Sequence, residues 1–199
     1  MKKILNVISS ARGAASNSTQ LVNAITEKLT SEYPGSTIQL RNLVEDHYPH
    51  LEESHLNAFF APAENETPEY REAVKHSDEA IQEVFDADII VIGVPIYNFH
   101  VPSALKAWLD HLARAGKTFS YETGRPEGLV KGKKAYLAIA SGGVYSDGPM
   151  KAYDFAEPYL RAVLGFIGIT DVTTFRVEGA NMPDLKETAL QKGIDSIVV

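Results

Sequence analysis

Five short hydrophobic runs are spaced along the chain and have the length of β-strands. They are Lys3–Ser9, Thr37–Leu43, Asp88–Val94, Lys134–Ser141 and Asp171–Val177. All of them except the second are predicted to be buried parallel strands rather than half-exposed ones. The first, third and fourth are almost continuous in Ile, Val, Leu and Ala, which is typical of parallel strands covered on both faces. The second alternates apolar and polar residues, which suits an edge strand.

Helical patterns fill the intervals between these runs. Asn17 or Ser18 is the predicted cap of the first helix and Ser103 that of the third, and the other helices begin at about Pro68, Asp154 and Asp184. The first ends before Pro34-Gly35, the second near Phe85 and the fourth near Ile167. Because Pro158 lacks a backbone N–H, the fourth helix accepts it only in its first turn or at a kink.

Strands that alternate with helices form a parallel sheet with right-handed crossovers. Five such strands match the order 2-1-3-4-5, so the sequence predicts an α/β, flavodoxin-like three-layer sandwich. The chain contains no evident linker, repeat or low-complexity tract, and we expect one domain over residues 1–199. In this fold a ligand lies outside the carboxyl ends of the strands.

Composition excludes several classes of function. The chain has 199 residues and no cysteine, which rules out disulfides, thiolate metal sites and cysteine nucleophiles. A formal net charge of -7 without a basic block disfavours DNA, RNA and anionic membranes as partners. The apolar run after Met1 is too short for a signal peptide, and no stretch approaches the roughly 20 apolar residues of a membrane span. We therefore expect a soluble, cytoplasmic protein.

A polar loop, Ser9–Ser18, joins the first strand to the first helix. Hydroxyl groups, an amide, free backbone N–H groups and the helix dipole converge there, which favours one phosphate monoester. The alternative interpretation is a polar loop with an ordinary helix cap. The chain has no G-x-G sequence, so a Rossmann dinucleotide loop is excluded.

A stiff loop, Pro95–Ser103, follows the third strand and contains two prolines. A flavin ring needs backbone groups along its edge and flat side chains over one face. Tyr97 and Phe99 supply flat area, and Asn98 supplies an amide. The alternative is a proline-rich loop whose aromatic side chains cover the core.

A glycine pair lies in the loop Ala140–Tyr145, after the fourth strand. Gly142 and Gly143 let the backbone approach a ligand closely, and Tyr145 offers a hydroxyl beside them. A glycine turn with an exposed tyrosine is the alternative. Because all three loops end strands at one edge of the sheet, we predict that they share one pocket.

With these residues, the chain resembles the FMN-dependent NAD(P)H:quinone oxidoreductases of the bacterial azoreductase family. The matching segments are Ser10 with Ser16–Ser18, Pro95–Phe99, Pro102–Asp110, Ala115–Phe119, Gly128–Lys134 and Leu164–Asp171. The match covers nearly the whole chain, and the segments between 95 and 134 are its most specific part.

The resemblance implies noncovalent FMN and a homodimer with the active site at its interface. The implied cofactor-binding residues are Ser10, Ser16, Asn17, Ser18, Pro95, Ile96, Tyr97, Asn98, Phe99, Ala140, Ser141, Gly142 and Gly143. NADH or NADPH would pass hydride to flavin N5, and a quinone or azo compound would then take it in a ping-pong exchange. Asn98, stabilising charge on the reduced ring, and Tyr145, a proton donor to a quinone oxygen, are the candidate catalytic residues.

Two positions depart from the family's pattern. Ile96 stands where many relatives have Met, and Ala140-Ser141 stand where they have Ser-Arg. The missing arginine removes a contact to flavin or substrate but leaves the glycine pair intact. Substrate preference is the property that these departures affect most.

Aromatic residues outside the three loops are candidates for the substrate pocket. Phe119, Tyr121 and Phe166 are candidate walls over the flavin, largely from the resemblance, with core packing as the alternative. Phe59 and Phe60 lie in Tyr48–Glu66, a long segment with little periodicity that suits a substrate lid or a dimer contact. The histidines in and beside this segment fit no zinc spacing, so no metal site is predicted.

Two other functions stay open on this sequence. A flavodoxin-type electron carrier, without its own NAD(P)H turnover, has the same fold, although such carriers are usually more acidic. A flavin-free regulatory module is the second alternative. The two-proline loop and the Tyr48–Glu66 segment favour an enzyme.

Overall fold

Seven strands and six helices are described in a computed structural model that covers residues 1–61 and 67–199. The strands are β1 (Lys3–Ile8), β2 (Thr37–Asn42), β3 (Ile89–Pro95), β4 (Phe119–Ser120), β5 (Glu127–Gly128), β6 (Lys134–Ala140) and β7 (Asp171–Val177). The helices are α1 (Asn17–Glu32), α2 (Glu53–Phe60), α3 (Pro68–Asp86), α4 (Ser103–Leu112), α5 (Ala156–Ile167) and α6 (Ala189–Asp195).

The main sheet has five parallel strands in the order β2-β1-β3-β6-β7. The short strands β4 and β5 form a separate antiparallel ribbon. When only the main strands are counted, this order is the predicted 2-1-3-4-5, which confirms the flavodoxin-like fold. Every residue of β3 is buried, whereas β2 lies at an edge and is largely exposed, as the two hydrophobic patterns predicted. The prediction of a buried strand over Asp171–Val177 is wrong, because β7 is the other edge strand and only its Phe175 and Val177 are buried.

Helices cover both faces of the sheet. The α3, α4 and α5 helices share a buried cluster with Leu5 and Val7 of β1, on one face. The α1 and α6 helices share a second cluster with Ile4, on the other face. This alternation follows from the two-residue period of a strand, and it divides the molecule into three layers. None of the helices in the described part of the chain has the length and apolar character needed to cross a bilayer.

Helix starts are where the sequence prediction is least accurate. Ser16, not Asn17 or Ser18, is the cap of α1, and Pro102, not Ser103, precedes α4. The helix α6 begins after Asp184, at the end of a series of turns. Neighbouring serine and asparagine residues are similar cap candidates, so composition alone does not choose among them.

Two helix ends match their sequence signals. Thr67 caps α3, because its Oγ1 accepts from the Tyr70 N–H at 3.2 Å, and Pro68 follows as the first helical residue. Gly168 ends α5 with a φ of 110°, a left-handed conformation that favours glycine. Pro158 lies in the first turn of that helix, as predicted.

The Tyr48–Glu66 segment is more ordered than its sequence suggested. Its last five residues lie outside the described part of the chain, but Glu53–Phe60 form α2, where we expected irregular structure. Glu52 is not a usual cap residue, and its N–H donates to Nδ1 of His55 at 3.0 Å. A histidine in this position gives no recognisable start signal, so the helix has no marker in the sequence.

Candidate active site

Two adjoining cavities open at the carboxyl ends of the central strands. The first has a volume of about 190 Å³ and the second of about 340 Å³. The first is lined by Ser10, Arg12, Ser16, Asn17, Pro95, Ile96, Tyr97, Ala140, Ser141, Gly142, Ala180 and Asn181. The second is lined by Ile96, Asn98, Phe99, Ser141, Gly142, Gly143, Tyr145 and Asn181. The three predicted loops therefore meet, and Ser18 is the one predicted cofactor residue outside both linings.

The serine loop supplies buried hydroxyl groups at the start of α1. Ser16 has an extended backbone, and its Oγ lies 2.9 Å from Oγ of Ser18. Its hydroxyl thus pairs with a neighbouring hydroxyl, and two hydroxyls that share one hydrogen bond keep one O–H for another acceptor. Ser10 Oγ, 3.2 Å from the Tyr97 hydroxyl, extends this polar surface to the next loop. Together with the N–H groups of the first helical turn, the loop can hold an anion.

The loop after β3 contains a tight turn with strained backbone. Tyr97 and His100 exchange two backbone hydrogen bonds of 3.0 and 3.1 Å. Asn98 and Phe99 between them have φ values of 49° and 70°, in the left-handed region. Asparagine tolerates this region, whereas for a residue such as Phe99 it costs about 1–3 kcal/mol. The turn directs both residues into the lining of the second cavity.

The glycine loop after β6 is held by the loop that follows β7. Backbone N–H groups of Gly179, Ala180 and Asn181 donate to carbonyls of residues 143, 141 and 142, at 3.0, 3.2 and 3.0 Å. A Cβ on Gly142 would lie 2.5 Å from Nδ2 of Asn181, so a side chain at this position would displace the Asn181 carboxamide. Glycine allows the close approach of the two loops.

Asn181 and Ala180 are site residues that the sequence analysis missed. Asn181 lines both cavities, and Ala180 lines the first. Both follow β7, the fifth strand of the main sheet. The rule that led to the loops after the first, third and fourth strands would have found them if it had been applied to the fifth.

Aromatic side chains surround the entrance of the second cavity. The Phe99 ring lies 6.4 Å from that of Tyr145 and 5.8 Å from that of Tyr153, between centroids. Phe99 and Tyr153 are exposed, and Tyr145 is half-buried. Tyr153 lies outside the lining and was not predicted. These rings offer flat apolar faces to an aromatic ligand.

Charge is sparse within the cavities and concentrated behind them. Arg12 alone carries charge among the described residues that line the first cavity. Behind Tyr145, the side chain of Arg176 contacts the carboxylates of Asp154, Glu157 and Glu178. Burial lowers the pKa of Arg176, but hydrogen bonds to Glu157 and Asp154 outweigh it and raise the pKa above its usual value. The guanidinium therefore stays charged.

The five aromatic residues predicted for the substrate pocket lie elsewhere in this chain. Phe119 packs against Phe166 and Tyr121, with ring centroids 4.4 and 5.6 Å apart. Phe59 packs under the guanidinium of Arg114 at 5.3 Å. Phe60 is 77% exposed. Within the described residues of one chain, none of the five lines either cavity.

The fold and its site define the chain as a flavodoxin-like protein, and the model of the flavodoxin-like fold family matches residues 2–198. A protein of Mesorhizobium japonicum named FMN-dependent NADH:quinone oxidoreductase is 44% identical and covers 98% of this chain and 95% of its own. One of the same name from Herminiimonas arsenicoxydans is 49% identical and covers 92% and 89%. The chain belongs to this oxidoreductase family, which confirms the resemblance, and it is an enzyme.

Solved structures agree with this assignment. An azoreductase from Bacillus anthracis str. Sterne superimposes with a TM-score of 0.90 at 33% identity, over 98% of this chain and 96% of that one. An FMN-dependent NADH-azoreductase from the Ames Ancestor strain, solved in complex with FMN, gives a TM-score of 0.85 at 28% identity, over 97% and 94%.

Proposed function

We propose that this enzyme holds FMN in the two cavities and uses NADH to reduce quinones and to cleave azo compounds reductively. The observation that carries the proposal is the junction of a hydroxyl-rich anion site with a cavity rimmed by aromatic rings. Membership of a family named for FMN, NADH and quinone supports the cofactor, the reductant and the acceptor.

The residues of the first cavity fit the cofactor. Its phosphate would bind the hydroxyl groups of Ser10 and Ser16, with Asn17 and the first-turn N–H groups of α1, while Ser18, outside the lining, supports the Ser16 hydroxyl. Its ring would lie along Ile96–Phe99 and Ala140–Gly143. Two features support this fit. The hydroxyl groups of Ser16 and Ser18 already converge without a charged partner, and Gly142 has no side chain to cover its backbone.

FMN, when bound, supplies the hydride acceptor and donor of the reaction, at N5. The residues of the chain itself position the ligands and exchange protons with them. The strained turn fixes the carboxamide of Asn98 at the wall, where it can donate to negative charge. Tyr145 lines the same cavity and offers its hydroxyl as the proton donor to a quinone oxygen. One aromatic cavity for both NADH and the acceptor favours the ping-pong order.

We also propose a homodimer. Phe119, Tyr121 and Phe166 form an aromatic cluster on the ribbon and α5, and Tyr121 is 58% exposed. Apolar rings so exposed suit an interface. A second copy of the chain would then bring such rings to the entrance of the second cavity. Sedimentation of the purified protein, with and without FMN, tests this directly.

The first experiment is an anaerobic titration of the FMN-loaded protein with NADH, followed by a benzoquinone. We expect yellow absorbance that bleaches with NADH and returns with quinone. A yellow protein that NADH cannot bleach would support the electron-carrier alternative. A colourless protein that retains no FMN would contradict the proposed site. A parallel titration with NADPH measures the preference between the two nucleotides.

A further inference from the structure

One carboxylate holds the backbone turn that carries Tyr145. Oε1 of Glu178 accepts from the N–H groups of Tyr145 at 2.7 Å and Ser146 at 2.9 Å. Its Oε2 accepts from the hydroxyl of Ser146. Three hydrogen bonds to a charged acceptor over two consecutive residues leave this turn little freedom. The Glu178 side chain is only 13% exposed, so water competes weakly.

A carboxylate with little exposure to water needs a compensating charge, and Arg176 provides it. The guanidinium of Arg176 lies 3.4 Å from Glu178 and also pairs with Asp154 and Glu157. This cation offsets the negative charge of the Glu178 carboxylate and so reduces the cost of holding that carboxylate away from water. Its oxygens are thereby kept in place for the Tyr145–Ser146 turn.

The same stretch of chain also holds the other end of the loop. Gly179, next to Glu178, donates its N–H to the carbonyl of Gly143 at 3.0 Å. The loop is thus anchored at Gly143 by backbone and at Tyr145 by the Glu178 carboxylate. Without the carboxylate, the second anchor is lost and the Tyr145 ring is free to leave its contact with Phe99.

We propose that Glu178 is a positioning residue for the reaction: its carboxylate fixes the backbone at Tyr145 and Ser146 and thereby sets how Tyr145 faces the electron acceptor. This inference rests on the proposed function, in which Tyr145 serves the acceptor. Glu178 lies outside both cavity linings and acts through Tyr145.

The test compares two carboxylates that share Arg176. Glu178→Ala removes the anchor of the turn, and Glu178→Gln keeps an oxygen that can accept from the two N–H groups. Glu157→Ala is the matched control: it also removes a partner of Arg176, but the other hydrogen bonds of Glu157 are with Arg161 and Thr174 and not with Tyr145 or Ser146. Two readouts decide the test in each variant: amide hydrogen exchange at residues 145 and 146 by NMR, and kcat/KM for a benzoquinone. FMN affinity and the melting temperature are measured beside them.

We expect Glu178→Ala to speed exchange at both amides about tenfold and to lower kcat/KM for the quinone about tenfold, with FMN affinity changed less than twofold. Glu178→Gln should return kcat/KM to within threefold of the wild type. Glu157→Ala should lower the melting temperature and leave both readouts within twofold. If Glu178→Ala does not fold, Glu178→Gln still decides the matter, since losing the charge should raise exchange at the two amides more than Glu157→Ala does.

Equal exchange in the Glu178 and Glu157 variants would overturn the inference, as would faster exchange with unchanged quinone kinetics. Failure of the proposed function looks different: the wild-type protein itself would show no NADH turnover. The exchange data would then still decide whether Glu178 anchors Tyr145.

Discussion

The loop after β3 and the segment around α2 are both rich in aromatic side chains, but the first lines a cavity and the second packs around a buried histidine. In the first, Asn98 and Phe99 occupy strained backbone and line the second cavity. In the second, the rings of His55 and Tyr48 pack around His111, at 5.1 and 5.8 Å. Aromatic content therefore does not distinguish a site from a core, whereas exposure together with backbone strain does.

The α2 region contributes to the packing of the protein interior. His111 is fully buried, and its Nε2 donates to the carbonyl of Pro49 at 3.0 Å, which ties the chain before α2 to α4. Within the described residues its Nδ1 has no hydrogen-bond partner. Burial lowers the pKa of His111, so the ring is neutral at pH 7. Changes here should affect stability, and changes at the strand ends should affect FMN and turnover.

The largest effect should come from a charge placed in the anion site. Asn17→Asp keeps the shape of the side chain but adds a negative charge beside the proposed phosphate, and we expect FMN affinity to fall about 100-fold. A carboxylate at the start of α1 interacts favourably with the helix dipole. Without FMN, the melting temperature of Asn17→Asp should therefore be no lower than that of the wild type. Gln20→Glu adds the same charge outside both linings and should change affinity less than about threefold. Fluorescence titration of FMN and thermal melts provide both numbers.

The second largest effect should come from removing the proposed proton donor. Tyr145→Phe should lower quinone turnover by tens-fold, below the roughly 10²–10⁴-fold range usual for proton donors because water can replace part of the role. Tyr153→Phe is the matched control, since Tyr153 also contacts Phe99 but lies outside the lining. Steady-state kinetics on both variants compare the two hydroxyls. Unchanged turnover in Tyr145→Phe would remove Tyr145 from the mechanism.

A smaller effect separates the two adjacent glycines. In Gly142→Ala the new Cβ would displace the side chain of Asn181, and we expect FMN affinity to fall roughly tenfold. In Gly143→Ala the Cβ would lie 3.5 Å from the Tyr145 ring, an ordinary contact that leaves the loop in place, and affinity should fall less than in Gly142→Ala. The same FMN titration measures both. Similar losses in the two variants would mean that the loop tolerates no side chain at all, and Asn181 would then have no special part.

The hydrophobic periodicity and the position of each element along the sequence were enough to predict most of the fold and the location of the site. Buried runs such as those of β1 and β3 identify the strands inside the sheet, because residues covered on both faces must be apolar. The strand order follows from the match of five strands alternating with helices to the flavodoxin-like fold. The site follows from the rule that ligands bind at strand ends, which places Ser16, Asn98 and Gly142 together. These features depend on residues close in sequence.

What the sequence did not predict depends on contacts between distant residues. The anchor of Tyr145 is Glu178, 33 residues away, and the neighbour of Gly142 is Asn181. The helix α2 begins at an acid–histidine pair with no recognisable cap signal, so tertiary packing on His111 defines it more than its own pattern does. Phe119 and Phe166 were assigned to the pocket from the resemblance, and within one chain they contact each other.

The smallest expected effect is on the pH dependence of folding stability, and it leaves the cavities unchanged. Since the pKa of His111 is lowered in the folded state, the unfolded chain binds a proton first as the pH falls. Stability should therefore be full above about pH 6.5, the unfolded value, and decline below it with a slope of at most about 1.4 kcal/mol per pH unit, until the folded pKa is reached.

His111→Leu should remove this slope between pH 6.5 and 5, at a cost in stability from the lost bond to Pro49, while FMN affinity stays within twofold. His47→Gln, at an exposed histidine, should keep the wild-type slope. Urea unfolding at several pH values measures it, and an unchanged slope in His111→Leu would assign the pH dependence to other groups.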